Sequence, residues 1–542
     1  MLMRLFLAVL LAVLTACGSR QPADLLLYNA TVFTVDSAFS TAEAIAIHNG
    51  KVLATGNRAA LEKEYQFAET RDLEGAFVYP GFIDAHCHFV YYGLNLQQVN
   101  LKGTRSWDEV LLRLQAFAAE NPDGWLIGRG WDQNDWEVAI YPDRVQLDSL
   151  FPNRPVYLSR VDGHAAIANA QALAAAKLTA STQIPGGALL KRPDGELSGL
   201  LIDNAANRLE AVLPAPDAAA WREAILDAQA ACHAVGLTYI QDAGLNRQQI
   251  EVLEQMEAAG ELSMGVYGMI SAFPSELAYY LPKKPYRGPK LHVRAFKFYA
   301  DGALGSRGAR LKEGYHDDHN HFGLWVTEPD TLAFYAPLLA AAGYQMNTHC
   351  IGDAANKQVP EIYAATVGQQ GDHRWRVEHA QVVSPADLSI YKKAGIVPSV
   401  QPTHATSDMY WAGERLGPQR ITHAYAYQDL LQLQGWLPLG TDFPVEDISP
   451  LKTFYAAVFR VDSVGYPEGG FQAENALSRE QALRGMTIWA ARAGFEENEK
   501  GSLEVGKQAD IVVLNKDLMQ VTPSELLKTK VLATYVGGKA VK

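Results

Sequence analysis

Eight short apolar runs, separated by helical stretches, constrain the fold of this 542-residue chain more than any other feature. They are Phe82–His88, Leu237–Asp242, Met264–Ile270, Val293–Tyr299, Gln345–His349, Arg374–His379, Ile396–Gln401 and Leu437–Asp442. Strands that alternate with helical connections lie parallel, because a helix must carry the chain back across the sheet. Eight of them predict an α/β fold, a TIM (β/α)8 barrel, over residues 81–494. The first connection, residues 89–220, is far longer than a crossover needs. It predicts an inserted subdomain over the barrel mouth. Both ends of the chain are β-rich. Asp24–Thr34 alternates, and Ala44–Ala46 and Lys51–Ala54 flank the hairpin turn His48-Asn49-Gly50. Asp510–Leu514 and Val531–Val536 read as strands at the other end. The termini are therefore expected to meet in one small β-sandwich domain, residues 24–80 plus 495–542.

The N-terminus predicts export. Leu5–Leu14 is a run of ten apolar residues behind Arg4. That is too short to span a hydrocarbon core of about 30 Å and fits a signal peptide. Leu14-Thr15-Ala16-Cys17 follows and resembles a bacterial lipoprotein lipobox. The resemblance implies that residues 1–16 are removed and that Cys17 carries lipid. The protein would then be anchored to the cell envelope on the periplasmic side, at the outer membrane given Gly18 after the cysteine. Cys87, Cys232 and Cys350 remain, an odd number in a large domain, and predict no structural disulfide. A net charge of −13 repels a phosphate backbone, so nucleic acid is excluded as a partner. Expected partners are a small-molecule substrate, the membrane through Cys17 and, as an alternative to the monomer, a second copy in a homodimer.

The ends of the predicted strands carry the chemistry. Side chains alternate along a strand, so His86 and His88 share a face and Cys87 points the other way. That pair is a two-point metal clamp. His349, His379 and Asp442 end other strands, and Lys297 lies inside a fourth. A TIM barrel works at the C-terminal ends of its strands. Burying six polar groups at one rim without a shared ion would be costly. Imidazole nitrogen and carboxylate oxygen suit zinc and related divalent ions. A lysine carbamylated by CO₂ becomes a carboxylate that can bridge two metals. Such a pair, about 3.5–4 Å apart, holds a hydroxide and polarises a carbonyl. Asp442 beside it can take a proton and pass it to a leaving amine. Two alternatives stand against this reading. Lys297 could act as a Schiff-base nucleophile, or the barrel could be a non-catalytic, surface-exposed ligand-binding lipoprotein.

Five motifs carry a resemblance: PGFIDAHCH (Pro80–His88), KFYADGALGSRGA (Lys297–Ala309), THCIGDAAN (Thr348–Asn356), VEHAQ (Val377–Gln381) and GTDFPV (Gly440–Val445). With them the chain resembles the amidohydrolase superfamily and, within it, amidohydrolase family 3, the group similar to N-substituted formamide deformylases. DLLLYNATVFT (Asp24–Thr34) and GSLEVGKQADIVVL (Gly501–Leu514) resemble that superfamily's β-sandwich. The resemblance implies a binuclear zinc site, with one or two ions left open. His86, His88 and Asp442 would hold the buried metal, His349 and His379 the exposed one, and carboxylated Lys297 would bridge them. It implies hydrolysis of a non-peptide C–N bond, amide or formamide-like, with Asp442 as general acid/base. GRGWDQNDW (Gly128–Trp136) and VDGHAAIANAQAL (Val161–Leu173) resemble family motifs within the insertion. Trp131, Asp132 and His164 either line the pocket, with His164 helping to stabilise an oxyanion, or pack the lid. Arg307 could bind a substrate carboxylate or pair with Asp301. His404 is a further pocket candidate. His316–His321 reads as a solvated loop.

Overall fold

A computed structural model describes residues 20–138, 140–160, 165–184, 187–305, 307–368 and 371–542. Cys17 and His164 lie outside the described residues. Seven parallel strands run through the middle: β1 (Phe82–Cys87), β2 (Leu237–Leu245), β3 (Gly265–Ser271), β4 (Leu291–Tyr299), β5 (Gln345–Cys350), β6 (Arg376–His379) and β7 (Val397–Ser399). Each pairs with the next in chain order. They are buried on both faces, which is why they read as near-continuous apolar runs.

Leu437–Asp442 occupies the eighth position, although it forms no regular strand. Leu439 bridges Val400 in parallel. On its other side the Ala85 N–H donates to the Leu439 carbonyl (3.1 Å), and the Asp442 N–H donates to that of His86 (2.8 Å). The ring thus closes between β7 and β1 as a TIM-like barrel. Closure needs a glycine at the contact, since a Cβ on Gly440 would stand 2.6 Å from the His86 nitrogen. Cys87 and Cys350 face outward into the apolar layer between barrel and helices, and they and Cys232 are buried and free.

Within the long first connection a six-stranded sheet forms, in the order Gly187–Lys191, Leu197–Asp203, Ala165–Ala168, Val156–Arg160, Leu126–Trp131 and Val99–Asn100. Helix Trp107–Glu120, capped by Ser106, packs Val110, Leu111 and Leu114 against it. A cleft of about 1140 Å³ separates residues of this insertion, among them Asn95 and Arg129, from the barrel loops at Thr403 and Pro444.

The two chain ends join in one hydrogen-bonded sheet. Its order is Lys539–Ala540, Val531–Val536, Ile511–Leu514, Tyr65–Pro80, Gln21–Phe33, Ala44–His48 and Lys51–Gly56. Alternation buries Leu25 and Leu27 in one apolar cluster and Leu26 in another. The strand Tyr65–Pro80 carries no clear strand pattern in its charged, exposed middle. It runs into β1 and pairs antiparallel with Ile511–Leu514, tying both termini to the barrel. Among the described residues no helix is long and apolar enough to cross a membrane.

Candidate metal centre

The C-terminal rim of the barrel gathers the six polar side chains expected there. His86, next to last in β1, is fully buried, and His88 lies just past the strand. Their ring centroids are 5.8 Å apart, that of His379 lies 4.9 Å from His86, and that of His349 lies 4.6 Å from His379. Lys297, buried inside β4, puts its Nζ 3.2 Å from His86 Nε2. Asp442 Oδ1 stands 3.2 Å from His88 Nε2 and 3.6 Å from His86 Nε2.

Local backbone chemistry explains these positions. Asp84 accepts hydrogen bonds from the Thr441 hydroxyl (2.6 Å) and from the His86 N–H (3.0 Å), locking the eighth segment to β1. Burial pushes Asp84 up to about 7. The carboxylate of Asp301 accepts from the N–H groups of Ile351 (3.0 Å), Gly352 and Arg310 (2.8 Å each), fixing the chain that leaves β5. Two of the six residues sit in the left-handed region, His379 at φ 70° and Asp442 at φ 63°. Non-glycine residues hold such conformations only where the surroundings over-determine them, which is frequent at functional sites. At His379 the turn breaks strand alternation, so the adjacent Glu378 and His379 both meet His86.

A second layer sets the imidazole tautomers. His86 Nδ1 lies 2.5 Å from Glu378 Oε2, and Glu378 is itself fully buried against Arg376. Burial raises the Glu378 carboxyl, but the Arg376 guanidinium outweighs it, with the His86 hydrogen bond beside it, and holds the group well below its usual range. An ionised carboxylate only accepts, so His86 carries its proton on Nδ1 and aims the Nε2 lone pair at the centre. His379 Nδ1 meets Gln401 Oε1 at 2.6 Å, which leaves its Nε2 free in the same way. His349 Nε2 faces the Gly302 carbonyl at 3.5 Å, leaving the lone pair on Nδ1. Burial, then the charge of Lys297, pushes His86 down to about 4 and His349 down to about 3. These are neutral rings, as metal ligation requires. Arg376, Glu378 and Gln401 escaped the sequence reading. The available clue was a charged pair two residues apart, on one face of a strand that reads as buried.

The donor set fits divalent cations. Donors on a tetrahedral ion with bonds of about 2.0–2.1 Å stand about 3.3 Å apart, close to the spacings around Asp442 and His86. Asp442 Oδ1 is buried and accepts no well-formed hydrogen bond from any described residue. Burial raises the Asp442 carboxyl, but the hydrogen bond from His88 and the other imidazoles around it hold the group well below its usual range. A buried carboxylate where several imidazoles converge is a position that a cation would satisfy.

Other expected site residues lie elsewhere. Trp131 is fully buried in the core of the insertion, its Nε1–H donating to the Leu158 carbonyl at 2.8 Å, so it packs the lid and does not line the pocket. Asp132 is ion-paired with Arg160. The Arg307 guanidinium pairs with Asp317 at 2.8 Å and not with Asp301, whose carboxylate is taken by backbone N–H groups. Asp317 also binds Arg415, so this histidine-rich loop is pinned rather than merely solvated. His404 reaches the centre, with Nε2 3.5 Å from Asp442 Oδ2.

Comparison with known proteins agrees with this architecture. The chain is 33% identical over 536 residues to Protein LONG AFTER FAR-RED 3 of Arabidopsis thaliana, covering 95% of this chain and 91% of that protein. It is 27% identical to the N-substituted formamide deformylase of Arthrobacter pascens, covering 96% and 98%. A metal-dependent hydrolase of Pyrococcus horikoshii superposes with a TM-score of 0.78 at 27% identity, covering 92% and 99%. Residues 69–542 match the model of the amidohydrolase family. The chain belongs to that family.

Proposed function

We propose that this chain hydrolyses a non-peptide C–N bond, amide or formamide-like, in a small molecule. His86, His88, Lys297, His349, His379 and Asp442 would hold one or two divalent ions, with zinc the first candidate and Lys297 carbamylated between them. Ions held there would supply Lewis acidity towards a carbonyl and would acidify water. The observation that carries the reading is the convergence on buried Asp442, whose carboxylate oxygens face three imidazole nitrogens at 3.2–3.6 Å. Asp442 takes the proton of the attacking water and returns it to the leaving nitrogen. Burial lowers the Lys297 amine to about 8, so a usable fraction is neutral and able to add CO₂ at neutral pH. Glu378 and Gln401 hold the rings of His86 and His379 in register, and His164 would donate to the developing oxyanion. Similarity to a formamide deformylase supports the bond class. On the N-terminal pattern alone, Cys17 would carry lipid and anchor the chain to the envelope, as a monomer or a homodimer.

The test is a screen of the zinc-loaded protein against N-formyl, N-acyl and cyclic amides, with Asp442→Asn as control. Release of an amine, reduced by about 10²–10⁴-fold in the variant, is expected of a general acid/base. Turnover that survives complete chelation would refute the reading. Silence across the library with metal bound would favour a non-catalytic ligand-binding protein.

A further inference from the structure

His404 stands on the first turn of helix Pro402–Asp408, just past β7. Its imidazole is mostly buried, and its Nε2 makes no hydrogen bond to any described residue. That nitrogen points at Asp442 Oδ2 across 3.5 Å. A ring N–H facing a carboxylate would close to about 2.8 Å, whereas a bare nitrogen facing the same oxygen would be repelled. A gap of 3.5 Å is instead close to the edge of a coordination tetrahedron. His379 lies on the same side, its ring nearly parallel to that of His404 at 12° and 5.8 Å between centroids. One donor atom from each of His379, His404 and Asp442 lies within 4.8 Å of the others, and the same holds for His86, His88 and Asp442. The two triads share only Asp442. Its Oδ1 faces His86 and His88, and its Oδ2 faces His404.

We propose that His404 is a metal ligand, completing with His379 and Asp442 Oδ2 a cation position served by the carboxylate oxygen that does not face His86 and His88. The inference rests on the metal-dependent reading and adds a ligand outside the set that the sequence motifs imply. Asp442 then acts as a two-sided carboxylate, each oxygen serving one position.

The test combines metal content, zinc titration against a chromophoric chelator and anomalous diffraction at the zinc edge of the wild-type crystal. An anomalous peak within about 2.3 Å of His404 Nε2 is expected. His404→Ala and His404→Asn should bind less zinc per chain than wild type, with the weaker affinity falling at least tenfold and the stronger one retained. Wild-type zinc content and affinity in both variants would overturn the proposal while leaving the metal-dependent reading intact. So would a peak confined to His86 and His88. A wild-type chain that binds no divalent ion at all would overturn both. The diffraction readout needs no variant, so it decides the matter even if neither substitution folds.

Discussion

Glu378→Gln tests whether the layer beneath the metal ligands does what its geometry implies. The substitution keeps the size and one acceptor but removes the charge that fixes the proton on His86 Nδ1 at 2.5 Å. It also leaves the Arg376 guanidinium buried without an anion. That guanidinium otherwise donates to Glu378 (2.9 Å), the Ala85 carbonyl (2.6 Å) and the Ser399 hydroxyl (3.0 Å). Breaking a buried ion pair from one side costs about 3–5 kcal/mol. Losing the partner of a metal-binding histidine weakens metal affinity about 10–100-fold, equivalent to about 1.4–2.8 kcal/mol. The assay is zinc affinity by chelator competition, read beside thermal unfolding of the chelated protein. The expected variant melts lower and binds its tightest zinc at least tenfold more weakly. A Glu378→Gln protein with wild-type zinc affinity would refute the reasoning, because the tautomer of His86 would then not depend on Glu378.

Gly440→Ala drives a methyl group to 2.6 Å from the His86 nitrogen. Bound zinc should fall more steeply than the melting temperature, and normal zinc content would show that the barrel tolerates a wider gap there. Trp131→Phe removes the bond to the Leu158 carbonyl and should lower stability by about 1–3 kcal/mol without changing KM for any substrate found. A raised KM at unchanged stability would return Trp131 to the pocket. In the chelated protein, an unfolded imidazole binds its proton below about pH 6.5, while folded His86 does so only below about 4. Stability owed to neutral His86 is therefore present above pH 6.5 and lost as pH falls. Compared with His86→Asn, wild type should lose about 3 kcal/mol between pH 7 and pH 4 in urea titrations. Parallel curves for the two proteins would contradict the buried, neutral imidazole.

Much of the barrel is legible in the sequence because its strands are buried on both faces and end in ionisable residues. HxH at the end of β1 follows directly from strand alternation. The eighth segment is legible as a short apolar run ending in Asp442, although Pro438 and Gly440 keep it from forming a regular strand. Alternation also hid what it could not express. Only the left-handed turn at His379 lets Glu378 and His379 act on one ring, and backbone angles are not written in residue periodicity. The strand Tyr65–Pro80 was missed because its charged, exposed middle imitates a loop, while its pairing to Gln21–Phe33 is set by distant chain. The GRGWDQNDW motif leaves Trp131 open between lining the pocket and packing the lid. Burial of Trp131 depends on Leu158 and Trp136, which meet it only in the folded insertion.

In the proposed reaction, the rim formed by His86, His88, Lys297, His349, His379 and Asp442 holds the divalent cations that turnover requires. Elemental analysis of the purified protein, paired with its activity before and after chelation and after zinc is restored, tests this most directly. At least one tightly held divalent ion per chain is expected, with activity lost on its removal and recovered on reloading. A metal-free protein that turns substrate over at the same rate would contradict this.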